Sequence, residues 1–159
     1  MPLEFQRMWD SHPSNKNDSA PCRNADGLPA FINQCAIRMG LALAGGGMNM
    51  TACNKAKCWY RGHVNHVLRA QELADWLAGA AQLGVPTKFI KRRDVTTAVF
   101  GSNVQSGING KKGVVFCQNF YGSGNQGDHI DAWDGTQMAQ GSVSYFEGAQ
   151  QVWFWEVTV

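Results

Sequence analysis

The sequence predicts an α+β fold, and two observations carry the prediction. Apolar residues recur at helical spacing only before Gly113. After it come β-branched and aromatic runs at 114–118, 129–133 and 151–157, each bounded by glycine-rich turns. Helices first and strands afterwards, without alternation, give an antiparallel sheet carrying helices rather than a parallel βαβ array. No internal repeat interrupts this order. The length of 159 residues suits one domain over residues 1–159, large enough to bury a core without staples.

Taken in chain order, a short helix is expected at 5–9, followed by a Ser-, Asn-, Asp- and Pro-rich loop over 10–29. Ile32, Ala36, Ile37, Met39, Leu41 and Leu43 then predict a mostly apolar helix over 33–44, with Asn33 as its cap and three glycines from Gly45 as its stop. Residues 45–65 look irregular. Leu73, Trp76, Leu77 and Ala80 predict a helix within 69–83, closed by Gly84-Val-Pro86. A short strand at 88–90 and a helix at 94–100 capped by Asp94 complete the first part. Trp133, Trp153 and Trp155 read as sheet packing, whereas Trp59 and Tyr60, in the irregular stretch, read as groove-lining aromatics.

Composition sets limits. The chain is 44% hydrophobic and only 16% charged, with a net charge of +2, too small an excess to point to nucleic acid. No apolar run is long enough to cross a bilayer, so no membrane insertion is expected. The N-terminus carries no basic region followed by an apolar core, and therefore no secretory signal of that type. The five cysteines are Cys22, Cys35, Cys53, Cys58 and Cys117; an odd count leaves at least one thiol unpaired. Cys53 and Cys58, close together in a loop-like stretch, are the disulfide candidates, with two reduced thiols as the alternative.

The chemistry centres on Cys35 and His129. A thiol in the first turn of a helix feels the positive end of the helix dipole, which favours the thiolate. An imidazole brought beside it forms the activated pair of cysteine hydrolases. Against this stands the ordinary role of a cysteine on an apolar helix, an inert core residue. Cys35 has polar Asn33 and Gln34 before it, and His129 opens a strand between glycine and aspartate. The Cys35 N–H and the Gln34 amide are candidate oxyanion donors. A third group should orient the imidazole: Gln140 is the polar choice on a neighbouring segment, with Asp131 and Asp134 as alternatives. Residues at i and i+2 of a strand stand about 7 Å apart, which argues against a direct bond from Asp131. Cys53, Cys58, His63 and His66 spell Cys-x4-Cys-x4-His-x2-His, but the second Cys and first His lie closer than in zinc fingers. No metal and no cofactor is therefore expected. His12 reads as a solvated loop histidine.

Several blocks in order resemble the type VI secretion amidase effector 4 family: Asn33-Gln-Cys-Ala-Ile-Arg-Met-Gly40, Arg61-Gly-His63 leading into Leu68-Arg-Ala-Gln-Glu-Leu-Ala-Asp-Trp-Leu77, Gly127-Asp-His-Ile-Asp-Ala-Trp-Asp-Gly135 and Val152-Trp-Phe-Trp-Glu156. The opening Phe5-Gln-Arg-Met-Trp-Asp-Ser-His-Pro13 is similar too. The resemblance implies a papain-like fold of the NlpC/P60 type, with the nucleophile helix packed on an antiparallel sheet. It also implies a cysteine amidase cutting the D-glutamyl–meso-diaminopimelate bond of peptidoglycan stems. Its partners would be those stems, the type VI secretion apparatus and a cognate immunity protein, and its place of action the periplasm of a rival cell. Cys35 then matches the nucleophile and His129 the base, while Gln140 stands where the family carries an aspartate. Two alternatives remain at this point: a catalytically idle wall-binding module, or a papain-like protease acting on proteins.

Overall fold

The structure, a computed structural model, describes residues 3–91, 100–121 and 127–159. Helix α1 spans Phe5–Ser11, α2 Cys35–Gly45, α3 Ala70–Leu77, α4 Phe100–Ile108 and the single turn α5 Tyr145–Gly148. Strands β1 Thr87–Ile90, β2 Gly113–Tyr121, β3 Gly127–Trp133 and β4 Gln151–Glu156 form an antiparallel sheet in the order β1-β4-β2-β3. The α+β architecture is the expected one. The helix expected at 94–100 lies outside the described residues apart from Phe100, where α4 begins.

Each face of the sheet has its own core, because successive side chains of a strand point to opposite sides. On one face Val114, Phe116, Ile130, Trp153 and Trp155 pack with Met8 of α1, Met39 and Leu43 of α2 and Leu73 and Leu77 of α3. On the other, Val115, Val152 and Phe154 meet Val104 and Ile108 of α4 and Phe146 of α5. The three strand tryptophans are packing residues, as expected: Trp133 is fully buried and its indole N–H donates to the Ile108 carbonyl at 3.1 Å.

Helix α2 starts at Cys35 rather than Asn33. Gln34 is the cap residue, and the Asn33 side chain turns back to accept the Cys35 N–H at 3.1 Å. Within α2, Gly40 lets the 53–67 loop approach closely, since a Cβ there would lie 2.5 Å from the Asn65 carbonyl oxygen. At the sheet edge, β3 pairs with β2 on one side, and on the other its end meets residues 138–139 through the bridge Trp133↔Met138. The pairing is regular from Gly113↔Trp133 to Cys117↔His129 and then shifts before Tyr121↔Gly127. This bulge has Asn119 at a φ of 54° and its N–H bound to Asp128 Oδ1 at 2.8 Å. Bulges re-aim the side chains beside them, and His129 is the last regularly paired residue here.

Candidate active site

Helix α2 and strand β3 meet at Cys35 and His129. The Cys35 thiol, 3% exposed, opens the helix and points at the start of β3, with Sγ 3.7 Å from the Asp128 carbonyl oxygen. It also hydrogen-bonds the His129 imidazole. The other side of that ring is held by Asp131: His129 Nε2 lies 2.8 Å from Asp131 Oδ2. With Nε2 so engaged, Nδ1 is the nitrogen left to face the thiol.

This corrects the sequence expectation for the third group. Residues 129 and 131 are indeed two apart on one strand, but the long imidazole and the carboxylate lean together and close the backbone gap. Gln140 serves differently: its backbone N–H donates to Asp131 Oδ2 at 2.9 Å. Asp134 is occupied by its own turn, accepting the N–H groups of Thr136 and Gln137 at 2.8 and 2.9 Å.

Asp131 is fully buried, which is tolerable only because its oxygens are well supplied with donors. Besides His129 and Gln140, the Ala132 N–H donates to Oδ1 at 2.8 Å, and His12 Nε2 stands 3.2 Å from the same oxygen. His12 is 1% exposed rather than solvated. Its Nδ1 accepts the Ser14 N–H at 3.2 Å, which leaves the ring proton on Nε2 for Asp131. Nothing in the local sequence announces this role, because only the fold brings residue 12 to residue 131.

The electrostatics follow from the packing. Burial alone would raise the Asp131 carboxyl, but hydrogen bonds from His12 and His129 hold it well below the usual carboxylate range. Burial likewise opposes a charge on His129. The hydrogen bonds to Asp131 and Cys35, together with their negative charge, outweigh it and carry the imidazole up to about 9. The site therefore favours a protonated histidine between a carboxylate and a thiol.

A groove of about 460 Å³ opens over this group, lined among others by Ile32, Asn33, Arg38, Asp128, His129 and Tyr145. The Tyr145 ring stands edge-on to His129 at 5.1 Å. Gly141 backs the imidazole so closely that a Cβ there would lie 2.9 Å from His129 Nε2. Trp59 is 71% exposed and touches Phe31 edge-on, next to the groove residue Ile32, but neither Trp59 nor Tyr60 lines the groove.

Two further expectations are corrected. The Gln34 amide is not free for an oxyanion, because its Nε2 donates to the carbonyls of Cys22 and Phe31 at 2.9 and 3.1 Å. Its Oε1 accepts the Cys22 N–H at 2.8 Å, so Gln34 binds the preceding loop to the start of α2. Cys53 and Cys58 are both free thiols. Cys53 packs into the main core, whereas Cys58 sits with Cys22 and Ile37, its Sγ 3.6 Å from the Cys22 Sγ. This second group includes His63, but it is a poor nucleophile site: burial and the neighbouring Cys58 push the Cys22 thiol up to about 12.

Residues 31–155 match the profile of the family described as type VI secretion system (T6SS) amidase effector protein 4, Tae4. The chain belongs to the Tae4 family. Solved structures agree on the fold. The type VI effector–immunity complex Tae4–Tai4 from Salmonella Typhimurium superposes with a TM-score of 0.71 at 18% identity, covering 99% of this chain and 100% of that one. The Tae4–Tai4 complex from Enterobacter cloacae gives 0.70 at 16% identity with the same coverage. The E. cloacae Tae4 effector by itself gives 0.65 at 15%, covering 99% of this chain and 98% of that one. No curated protein sequence matches. The papain-like α+β fold and the amidase-effector class expected from the sequence blocks thus stand, and no helix among the described residues is long and apolar enough to cross a membrane.

Proposed function

We propose that this Tae4 member, acting as one domain over residues 1–159, is a cysteine amidase that cuts the D-glutamyl–meso-diaminopimelate bond of peptidoglycan stems. The observation that carries the catalytic assignment is the buried chain from Cys35 through His129 to Asp131, with Nε2 and Oδ2 2.8 Å apart, beneath an open groove. Cys35 Sγ attacks the amide carbonyl and a thioester forms as the C–N bond breaks. His129 gives its proton to the leaving amine, then takes one from the water that hydrolyses the thioester. Asp131 does not exchange protons. It fixes the ring and stabilises the imidazolium.

The oxyanion forms beside the α2 N-terminus, where the Cys35 N–H is the available donor. That N–H is held by Asn33 Oδ1 at 3.1 Å, so an entering carbonyl displaces the exposed Asn33 side chain to reach it. Arg38 lines the same groove, and its Nε is buried without a hydrogen-bond partner among the described residues, a position suited to a carboxylate of the acidic stem. The departure at Gln140 does not speak for an idle wall-binding module, since Asp131 supplies the carboxylate. Membership of the family supports delivery by the type VI apparatus. The immunity complexes of the Salmonella and Enterobacter relatives support neutralisation by a cognate immunity protein. Its place of action is then the periplasm of the target cell.

The test is mass analysis of muropeptides digested by the wild type and by Cys35→Ala. Stem fragments cut between D-glutamate and diaminopimelate, produced by the wild type alone, are expected. Equal digestion by the variant would remove Cys35 from the mechanism, and cleavage at another bond would remove the substrate assignment.

A further inference from the structure

The second cysteine–histidine group has a geometry of its own. Cys22 comes from the loop before α2; Cys58, His63 and His66 come from the irregular stretch between α2 and α3. The Cys58 N–H donates to the His66 carbonyl at 2.9 Å, and a bridge pairs Lys57 with Val67, so Cys58 and His66 flank one narrow loop with His63 at its turn. Asn65 and Gly62, with φ of 65° and 82°, shape that turn. Cys22 is fixed independently, by the Gln34 amide on both its N–H and its carbonyl. Two separately anchored segments thus bring four side chains together.

We propose that Cys22, Cys58, His63 and His66 form a structural zinc site. Their four ligand atoms all lie within 4.8 Å of one another. The sulfurs are 3.6 Å apart, and His63 Nδ1 is 3.3 Å from Cys22 Sγ and 3.4 Å from Cys58 Sγ. A tetrahedral ion with zinc–sulfur bonds of about 2.3 Å and zinc–nitrogen bonds of about 2.05 Å has edges of about 3.8 Å between sulfurs and about 3.5 Å between sulfur and nitrogen. The separations among Cys22, Cys58 and His63 sit slightly inside those edges, and the 4.8 Å limit of the whole set leaves His66 a short inward movement to complete the tetrahedron. The two sulfurs are well outside the roughly 2.05 Å of a disulfide.

The hydrogen-bond inventory agrees. His66 is 7% exposed, yet its Nδ1 is buried and has no partner among the described residues. A buried polar atom left unpaired is costly unless something satisfies it. Among the described residues no carboxylate joins the group. Two thiolates and two neutral imidazoles select a soft divalent ion with tetrahedral preference, and their two negative charges neutralise it. Four protein ligands leave no open position, so the ion takes no part in hydrolysis. Its effect is mechanical: it ties the loop bearing Cys22 to the loop bearing Cys58, and through Gln34 it steadies the turn that presents Asn33 and Cys35 to the groove.

The four ligands differ from those spelled by the linear motif, which has Cys53 in place of Cys22. That difference makes a sharp test. Full-length, tag-free protein purified without chelator is expected to carry roughly one zinc per chain by elemental mass spectrometry. Cys22→Ser and His63→Ala should lose it and Cys53→Ser should keep it. Cobalt(II) added to demetallated wild type should give the visible absorption of a tetrahedral site with thiolate charge-transfer bands. That spectrum decides the matter without variants if they fail to fold. Wild type with neither zinc nor a cobalt spectrum would overturn the proposal. So would undiminished zinc in Cys22→Ser, or a Cys22–Cys58 disulfide in the purified protein by peptide mapping.

Discussion

Two clusters among the described residues pair cysteine with histidine, and they differ in what else is present. At Cys35 a single thiol opens a helix, and the imidazole beside it has a buried carboxylate behind it. At Cys22 two thiols share two imidazoles with no carboxylate among the described residues, at loops rather than at a helix end. In the first, Asp131 makes the protonated histidine favourable and draws His129 up to about 9. In the second, burial and the neighbouring thiol push Cys22 up to about 12 and away from nucleophilic use. The residue types are the same. The third partner decides whether they make an acid–base pair or a set of soft ligands.

The most severe way to break the comparison is Cys35→Ala, which should lower the amidase rate by roughly 10⁴-fold or more while leaving the zinc content unchanged. Metal analysis and turnover on one preparation check both halves. Asp131→Asn comes next. The loss should be about 10²–10⁴-fold, with the rate no longer sustained to the alkaline side. In the wild type the active proton on His129 persists until pH rises through about 9. Without the carboxylate that limb should move towards the ordinary histidine value of about 6.5, as a profile of kcat/KM against pH would record. The same sign governs stability: the contribution of protonated His129 is complete below about 6.5 and is lost as pH rises through about 9.

His12→Ala removes one donor from a buried carboxylate and should cost about 1–3 kcal/mol of stability, read in denaturant melts. Its rate loss should be smaller than that of Asp131→Asn, since His129 and Gln140 still hold the carboxylate. Cys58→Ser sharpens the contrast from the other side. It should lower Tm by roughly 5–10 °C, while the remaining folded protein keeps an alkaline limb near that of the wild type. A Cys58→Ser enzyme whose limb moved with that of Asp131→Asn would merge the two clusters into one functional unit.

Much of the first cluster is legible in the sequence, because both reactive groups sit at local landmarks: a helix start after Asn33-Gln34 and a glycine-flanked strand start. The orienting group is harder to read. Asp131 looks too far along the strand when only backbone spacing is considered, while Gln140 contributes through a main-chain N–H that no sequence pattern advertises. The long-range partners leave no local trace. His12 reaches Asp131 and Cys22 reaches Cys58 through tertiary folding, so proximity in sequence selects Cys53 instead, whose side chain belongs to the main core. Among the elements, strongly patterned ones such as α2 and β4 fall within two residues of expectation, and the start of α2 moved because the cap position falls on Gln34, with Asn33 outside it accepting the Cys35 N–H.

The contact between His12 and Asp131 also bears on where the catalytic unit begins. The match to the family profile starts at residue 31, well after α1 and the loop that carries Cys22. A fragment trimmed to residues 31–155 would retain Cys35, His129 and Asp131 but would strip the carboxylate of its second imidazole and Gln34 of the backbone it grips. A working enzyme is therefore expected to need more of the chain than the profile match covers. Fusions, truncations or engineered swaps among relatives should carry the first thirty residues along with the nucleophile they brace.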